Sequence, residues 1–130
     1  MREVSMPDRL EPIPSPCVCS ESWHDTTVVV SCAGAIDMVT APTLQQVIAA
    51  ALKKQPTAVI VDLTDTELLA SYGMSVLVET HQQLIPEVPL VVVADGPITR
   101  RPLELVGLAD VLTIRPNLGA AFDELQTTTD

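Results

Sequence analysis

A single serine, Ser71, stands where a predicted strand, an acidic loop and a predicted helix meet. Residues 58–63 form a nearly continuous apolar segment, typical of a strand buried on both faces, and the helix begins at Ser71. We predict that Ser71 is the N-cap of this helix and that its hydroxyl accepts a backbone N–H. A phosphate on the same hydroxyl would face unpaired N–H groups and a favourable helix dipole. The spacing alone leaves two interpretations open, a plain cap and a reversible phosphorylation site at a binding surface.

Catalysis by this serine would require a general base within hydrogen-bond reach. The chain has two histidines, His24 and His81. His81 follows Ser71 on the same predicted helix, about 15 Å away by helical rise. It falls on the apolar stripe, which indicates the edge of the core. His24 is predicted to be a solvated group in a turn near the N-terminus. We therefore expect no Ser-His-Asp triad, no catalytic residue and no enzyme activity.

The acidic residues Asp62, Asp65 and Glu67 invite comparison with a Mg²⁺ site. Such a site needs carboxylates that converge from several strand ends, so a solvated loop over residues 64–67 is the favoured interpretation. The glycines are scattered, one at each junction, as turn and cap residues, and they form no phosphate-binding loop. We predict no cofactor and no metal.

The three cysteines, Cys17, Cys19 and Cys32, lack the C-x-x-C spacing of redox and zinc motifs. Free cysteine is commonly a small buried thiol, so packing is the favoured interpretation. A redox disulfide or a metal site is the alternative for these residues.

The composition restricts the class of partner. Seven Lys and Arg face 17 Asp and Glu, for a net charge of −10, and the aromatic residues are one Trp, one Tyr and one Phe. This balance repels phosphate backbones and anionic lipids, and it lacks the rings needed for base stacking. We expect a basic or mixed protein surface as the partner, with no nucleic acid and no membrane insertion. No apolar run of transmembrane length and no signal peptide is recognised, so the predicted location is cytoplasmic.

Apolar periodicity and breaker residues predict alternating strands and helices from residue 27 onward. Strands are predicted at 17–22, 27–33 (ended by Gly34), 58–63, 90–94 and 111–114, and helices from the cap Thr40 to Pro56, from Ser71 to Pro86, at 99–107, and from the cap Asn117 to residue 126. Alternation of this kind predicts a single α/β domain with a mostly parallel sheet and right-handed crossovers.

The predicted domain spans residues 17–126, between a flexible proline-rich tail at 1–16 and a flexible end at 127–130. The loops that contain Asp37 and Ser71 both leave the carboxyl ends of predicted strands. We expect these two loops to share one face of the molecule, where partners of such sheets commonly bind.

Four ordered segments match the pattern of one family. They are Gly34-Ala35-Ile36-Asp37 with Thr40-Ala41-Pro42-Thr43-Leu44, the strand 58–63, the run Leu69-Ala70-Ser71-Tyr72-Gly73-Met74-Ser75-Val76-Leu77, and the run Arg101-Pro102-Leu103-Glu104-Leu105-Val106-Gly107-Leu108. On these segments, residues 28–125 resemble the STAS domain, the fold of bacterial anti-sigma factor antagonists. Four matches in the expected order are much more specific than any one of them.

The resemblance implies a STAS-type α/β fold and a regulatory binding protein. In the family, the unphosphorylated form binds an anti-sigma factor, often a GHKL-type serine kinase, and so frees a sigma factor for transcription. The kinase phosphorylates the first serine of the signature, which corresponds to Ser71, and a phosphatase reverses the modification. The partner-binding residues that the resemblance implies are Asp37, Thr40, Ala70, Ser71, Tyr72, Gly73, Met74 and Ser75.

Three residues depart from the family pattern. Ala70 stands in place of an Asp, Tyr72 in place of a second serine, and Ala35 in place of a Glu. One alternative is therefore a constitutive antagonist whose Ser71 is not modified. Two others are a STAS subunit of a transporter or multiprotein stress complex, and a small enzyme or nucleotide-binding domain that uses the acidic loop.

Overall fold

The computed structural model describes the backbone of residues 17–129 and the side chains of residues 17–126. The predicted tail at 1–16 lies outside the described residues, as do the side chains of the predicted flexible end at 127–130. Strands occupy Val18–His24 (β1), Thr27–Ile36 (β2), Ala58–Asp62 (β3), Thr66–Leu69 (β4), Leu90–Val93 (β5) and Thr113–Arg115 (β6). Helices occupy Ala41–Leu52 (α1), Ser71–Leu84 (α2), Arg100–Leu105 (α3) and Leu118–Thr129 (α4), with a 3-10 turn at Leu108–Asp110.

The strands form one sheet in the order β1-β2-β3-β5-β6, and β4 pairs with the end of β2 beyond the point where β3 stops. β1 and β2 are antiparallel, and the other pairings among the described strands are parallel. Among the described helices, none is long and apolar enough to span a bilayer. The structure confirms the predicted α/β class and mostly parallel sheet.

The central strands of the sheet are buried on both faces, and a separate apolar core lies against each face. Along β3, Val59 and Val61 belong to the larger core, and Ile60 between them belongs to the smaller one. The larger core receives residues of α1, α2 and α3, whereas the smaller core receives Ala121 and Leu125 of α4. The apolar sequence of β3 is continuous because neither of its faces meets water.

β2 continues past Gly34 to Ile36, so the prediction that Gly34 ends this strand is wrong. Gly34 has a φ of 97°, and the register with β4 shifts between Gly34 and Ala35. Glycine adopts this backbone angle without the clash that a Cβ atom would cause. The extra residue of the resulting β-bulge is in β4, where Thr66, Glu67 and Leu68 oppose Gly34 and Ala35. β2 thus pairs with β3 along its first part and with β4 from Gly34 onward.

A short strand, β4, begins inside the segment predicted to be a solvated loop, so that prediction is wrong from Thr66 onward. Thr66 is 5% exposed, and its Oγ1 donates a hydrogen bond to the Cys32 carbonyl oxygen at 2.8 Å. Thr66 and Leu69 are buried, whereas Glu67 and Leu68 between them are exposed. The sequence of β4 has no apolar alternation. The segment is a strand because β2 provides a pairing partner.

The C-terminal elements differ from the predictions at one boundary and agree at another. β6 begins at Thr113 and not at residue 111, because Gly107, with a φ of 85°, and the 3-10 turn precede it. Asn117 is confirmed as the cap of α4, since its Oδ1 accepts the Ala120 N–H at 2.8 Å.

The two histidines, neither of which is expected to act as a base for Ser71, occupy different elements of the fold. His24 is the last residue of β1, and not a turn residue as predicted, and its ring meets the Phe122 ring edge-on with the centroids 5.0 Å apart. His81 is half-buried in the last turn of α2, with a buried Nδ1, which confirms its predicted place at the edge of the core.

Candidate functional site

The ends of β2 and β4 bring the two predicted loops together. Ile36 at the end of β2 is the parallel partner of Leu69 at the end of β4, and the Ala70 N–H donates to the Ile36 carbonyl oxygen at 2.9 Å. Asp37 follows Ile36 and Ser71 follows Ala70. The two loops therefore lie at the same edge of the sheet, as the sequence predicts.

The loop between β2 and α1 is held by its own side chains. The Asp37 carboxylate accepts the N–H groups of Val39 at 2.9 Å and Thr40 at 3.0 Å. In return, the Thr40 hydroxyl accepts the Asp37 N–H at 2.9 Å and donates to the Ala35 carbonyl oxygen at 2.6 Å. These hydrogen bonds, led by the one from the Thr40 backbone, hold the pKa of Asp37 below its ordinary value. The carboxylate therefore stays charged at neutral pH.

Thr40 occupies the N-cap position of α1, as predicted, but its hydroxyl does not cap the helix. Its φ of −99° and ψ of −14° are close to helical, and no side-chain cap hydrogen bond is formed. The Ala41 N–H donates instead to the Asp37 carbonyl oxygen at 2.8 Å. The half-buried hydroxyl of Thr40 thus shapes the loop and does not stabilise the helix end.

The tip of this loop exposes two apolar side chains that are not among the predicted site residues. Met38 is 61% exposed and Val39 is 77% exposed. The hydrogen bonds between Asp37 and Thr40 close the loop, so the side chains between them project away from the core. The signal in the sequence is a pair of apolar residues that belong to no strand or helix period. Such side chains beside a candidate site suit a protein contact surface.

α2 begins at Ser71 and its N-cap residue is Ala70, so the prediction that Ser71 caps the helix is wrong. Ala70 has the extended backbone angles of an N-cap, φ −86° and ψ 170°, and no side chain caps this helix. The Ser71 side chain is exposed. Its hydroxyl is presented at the first turn of the helix, beside backbone N–H groups that a helix leaves unpaired.

Gly73 lets α2 approach the ends of β2 and β4. A Cβ atom at this position would lie 2.6 Å from Ile36 Cγ2 and 2.9 Å from Leu69 Cδ1, closer than such atoms can approach. Gly73 is therefore a packing residue inside the first turn, and not the turn or cap glycine that its spacing suggests. Because it is buried, it lies beneath the surface to which the other predicted partner-binding residues belong.

A groove of about 380 Å³ extends along α2 from its first residue. The residues that line it are Ser71, Met74, Ser75, Val78 and Glu79 of α2, with Val106 and Leu108 from the segment after α3. Its walls are mainly apolar, and Glu79 places a carboxylate beside them. The exposed Ser71 hydroxyl stands at one end of this lining.

Val106 and Leu108 lie in a segment that resembles the family, but they are not among the predicted site residues. Gly107 between them has a φ of 85°, an angle that ends α3 and turns the chain. Leu105 is 69% exposed and Val106 is 60% exposed. The signal in the sequence is a run of apolar residues at the end of a helix that is too short to bury them.

The structure gathers most of the predicted partner-binding residues on one surface. Ser71, Met74 and Ser75 line the groove, and Tyr72 is 51% exposed on the same turn of α2 without lining it. This surface is termed the α2 face and comprises Asp37, Met38, Val39, Thr40, Ser71, Tyr72, Met74, Ser75, Val78, Glu79, Val106 and Leu108. Ala70 is half-buried at the junction between the two loops.

In the acidic loop before β4, the Asp62 carboxylate makes its hydrogen bonds within the loop itself. The Asp62 carboxylate accepts the Thr64 N–H at 3.0 Å and the Thr64 hydroxyl. Within the described residues, the carboxylates of Asp62, Asp65 and Glu67 do not converge within 4.8 Å of one another. The arrangement shapes a turn and does not resemble a divalent-cation site.

The sheet has an antiparallel first strand and a fourth strand that, among the described strands, pairs only with the end of β2. The family model described as the STAS domain matches residues 22–121, which is most of the chain. The chain therefore belongs to the STAS domain family.

Similar proteins narrow the class further. The anti-sigma-F factor antagonist RsfB of Mycobacterium tuberculosis is 39% identical over 85 residues, which cover 65% of this chain and 70% of RsfB. The crystal structure of an anti-sigma factor antagonist from Mycobacterium paratuberculosis has a TM-score of 0.81 at 40% identity and covers 85% of this chain and 94% of that one. These similarities place the chain among the anti-sigma factor antagonists of the family.

A more distant structure shares the fold. The anti-sigma factor antagonist SpoIIAA in its unphosphorylated form has a TM-score of 0.68 at 15% identity. The match covers 85% of this chain and 97% of SpoIIAA. At this level of identity the similarity concerns the fold alone.

Proposed function

We propose that the chain binds an anti-sigma factor through the α2 face and thereby releases a sigma factor for transcription. Phosphorylation of Ser71 by that partner, a GHKL-type serine kinase, ends the complex, and a phosphatase restores it. In this proposal ATP belongs to the kinase, and the chain's own groups make and break no bond. The setting is the cytoplasm, where sigma factors meet their polymerase.

The observation that carries the proposal is the position of the exposed Ser71 hydroxyl, at the N-terminus of α2 and in the wall of an apolar groove. A phosphate on it carries about −1.5 to −2 charges at neutral pH. Backbone N–H groups and the helix dipole stabilise that charge, so the fold survives the modification. A partner that covers the groove would have to desolvate the dianion beside the Glu79 carboxylate, so the complex does not survive.

Exposed apolar side chains around Ser71 support a protein partner. Tyr72 is 51% exposed, Met38 is 61% exposed and Val106 is 60% exposed. Tyrosine and methionine are enriched at the buried centres of protein interfaces, where they contribute much of the binding energy. A partner that covers the α2 face removes these side chains from water together.

The net charge supports the same class of partner. At −10, the chain attracts a surface rich in Lys and Arg and repels nucleic acid. Within the α2 face, Asp37 and Glu79 offer carboxylates beside the exposed apolar residues. The long-range field of the net charge orients a partner and speeds its arrival more than it holds the complex together.

A second candidate is a constitutive antagonist, and Ala70 favours it. The family pattern has an Asp before the phosphoacceptor serine, whereas here the N-cap position of α2 holds a half-buried methyl group. A kinase that recognises the acidic residue finds no carboxylate there. In this candidate the α2 face binds the same class of partner, and Ser71 stays unmodified.

Charge variants at Ser71 test the proposal. The anti-sigma factor of the same organism is titrated by calorimetry with the wild type and with Ser71→Ala, Ser71→Gln and Ser71→Glu. We expect the neutral variants to bind as the wild type does. Ser71→Glu should bind at least about tenfold more weakly, which corresponds to about 1.4 kcal/mol for one carboxylate brought into the interface.

Ser22→Glu is the matched control for added charge. Ser22 is exposed on β1 and pairs with Val29, far along the sheet from the end of β2, so its affinity should equal that of the wild type. Tight binding by Ser71→Glu would contradict regulation at Ser71, and failure of the wild type to bind would contradict the function itself. Incubation with the partner and ATP, followed by phosphopeptide mapping, separates the switched antagonist from the constitutive one.

A further inference from the structure

Three cysteine side chains from two strands meet at one point. Cys19 in β1 and Cys32 in β2 are directly opposite each other in the antiparallel register, and their Sγ atoms are 2.9 Å apart. Cys17 lies two residues before Cys19 and therefore on the same side of the strand, with its Sγ 3.3 Å from that of Cys19. All three sulfur atoms lie within 4.8 Å of one another.

The surroundings of the three sulfurs are apolar. Cys32 is 1% exposed and Cys17 is 8% exposed, and both belong to the larger core. Cys19 packs against that core but is only half-buried, so an ion can reach the sulfurs from solvent at Cys19. In the part of the chain that the structure describes, no histidine or carboxylate joins the cluster at the same distance. The set of donor atoms is therefore entirely sulfur.

Packing explains why each thiol is buried, but it does not explain why they are together. The chain has three cysteines, and all three are in this cluster. Valine or alanine would fill the same positions of two neighbouring strands equally well. The convergence of every thiol of the chain points to a function that needs sulfur.

We propose that Cys17, Cys19 and Cys32 bind one copper(I) ion through their three sulfur atoms. Thiolates are soft ligands, which select copper(I) and zinc over hard cations such as Mg²⁺. Structural zinc sites are four-coordinate, whereas copper(I) accepts three sulfur ligands, the number that the described residues supply. Each thiol that coordinates the ion as a thiolate releases its proton to solvent.

The site needs only a small rearrangement to receive the ion. With metal–sulfur distances of about 2.3 Å, three sulfurs around one ion lie about 4 Å from one another. The observed separations of 2.9 Å and 3.3 Å are shorter, so the sulfurs must move apart by about 1 Å. Rotation of the cysteine side chains supplies such a displacement without moving the strands.

A bound ion would join β1 to β2 just before Gly34, where β2 begins to pair with β4. The carbonyl oxygen of Cys32 also accepts the Thr66 hydroxyl of β4, so the cluster adjoins the strand that leads to α2. A ligand that binds the folded chain and not the unfolded one raises its stability. Copper(I) should therefore raise the melting temperature of the chain.

The test uses the full chain, reduced and anaerobic, with copper(I) supplied in competition with the chromophoric chelator bicinchoninate. We expect one copper per chain and three copper–sulfur contacts in X-ray absorption. Cys19→Ser should lower the affinity by at least about tenfold, since changes even outside the ligand shell cost that much, and should leave two sulfur contacts. Cys17→Ser is the second variant, and circular dichroism checks that both fold.

Met38→Leu is the matched control, because it removes an exposed soft sulfur outside the cluster. Its copper affinity should equal that of the wild type. The proposal is overturned if the folded wild type cannot compete with bicinchoninate, or if both cysteine variants keep the wild-type affinity. It is equally overturned if copper bridges two chains, or if zinc(II) occupies the three sulfurs in preference to copper(I).

Discussion

Asp37 and Thr40 bond each other's backbone N–H groups, so the loop after β2 has its shape before any partner arrives. A loop that is already ordered loses less conformational entropy on binding. The polar side chains of Asp37 and Thr40 thus make hydrogen bonds within the loop. The exposed side chains of Met38 and Val39 provide the apolar surface that a partner can contact. We infer that Asp37 acts on binding as much by positioning these neighbours as by its charge.

Asp37→Asn tests the charge within this loop. The pKa of Asp37 is lowered in the folded state, so the carboxylate stabilises the fold at pH values above its ordinary pKa of 3.8. That contribution is lost as the pH falls through the lowered value. We expect the wild type to be the more stable protein at neutral pH and the two to converge in acid, as measured by urea unfolding at a series of pH values. A stability difference that does not change with pH would contradict a role for the charge.

Gly73→Ala tests the close approach of α2. The added Cβ would meet Ile36 Cγ2 at 2.6 Å, and that side chain is fully buried and cannot move aside. We expect a loss of about 1–3 kcal/mol in the free energy of unfolding, in spite of the better helix propensity of alanine. The matched control is Gly119→Ala in the exposed first turn of α4, where the added Cβ would meet only the exposed Asn117 Oδ1, at 3.3 Å, so the free energy of unfolding should change much less than at Gly73. Equal effects at the two sites would disprove the packing role.

The sequence identifies Ser71 as the residue of interest but assigns it the wrong local role. The apolar stripe that begins at Met74 and the preceding apolar strand locate the helix start to within one residue. Whether a serine is the cap or the first helical residue depends on the backbone angles at Ala70, which local composition does not determine. The Ser71 hydroxyl makes no cap hydrogen bond, so it is accessible for the modification proposed above.

Among the elements, β4 shows most clearly what a sequence pattern cannot supply. β3, β5 and α1 are predictable, since each carries a long apolar run or a regular apolar stripe. β4 has four residues, of which the outer two are buried, and its pairing partner lies more than thirty residues earlier, at Gly34 to Ile36. The groove was unpredictable for the same reason, because Val106 and Leu108 reach α2 only in three dimensions.

Thr66→Val tests the attachment of β4 to β2. The substitution keeps the shape of the side chain and removes the hydrogen bond to the buried Cys32 carbonyl oxygen. We expect a loss of about 1–2 kcal/mol in the free energy of unfolding, the usual cost of such a bond in the interior. Thr57→Val is the control, because its hydroxyl bonds another exposed threonine and water replaces it readily. If the two variants were equally stable, the bond would not be what holds β4.

At the scale of the whole molecule, the centre of the sheet forms the core, whereas the ends of β2 and β4 lie beside the exposed loops. Both faces of β3 and β5 are covered by helices, and the proposed partner surface lies at the edge where β2 and β4 end. This edge was predictable from the order of strands and helices. The long-range field of a net charge of −10 acts on a partner during association. The exposed apolar side chains at this edge act once the complex has formed.

A kinetic experiment on the proposed complex separates those stages. Raising the salt from about 0.01 M to about 1 M shortens the Debye length from about 30 Å to about 3 Å. We expect the association rate to fall steeply over this range, because it depends on the field of the whole chain. The dissociation rate should change little, because it depends on apolar contacts at the α2 face.

Two variants that each remove one negative charge sharpen the distinction. Glu79 lines the groove, whereas Glu87 is exposed beyond the end of α2. Glu79→Gln and Glu87→Gln should slow association by similar, small factors, since both change the net charge equally. Only Glu79→Gln should also alter dissociation, since only its carboxylate lies in the covered groove. Equal dissociation rates for both variants, or association that ignores salt, would mean that the partner binds elsewhere on the chain.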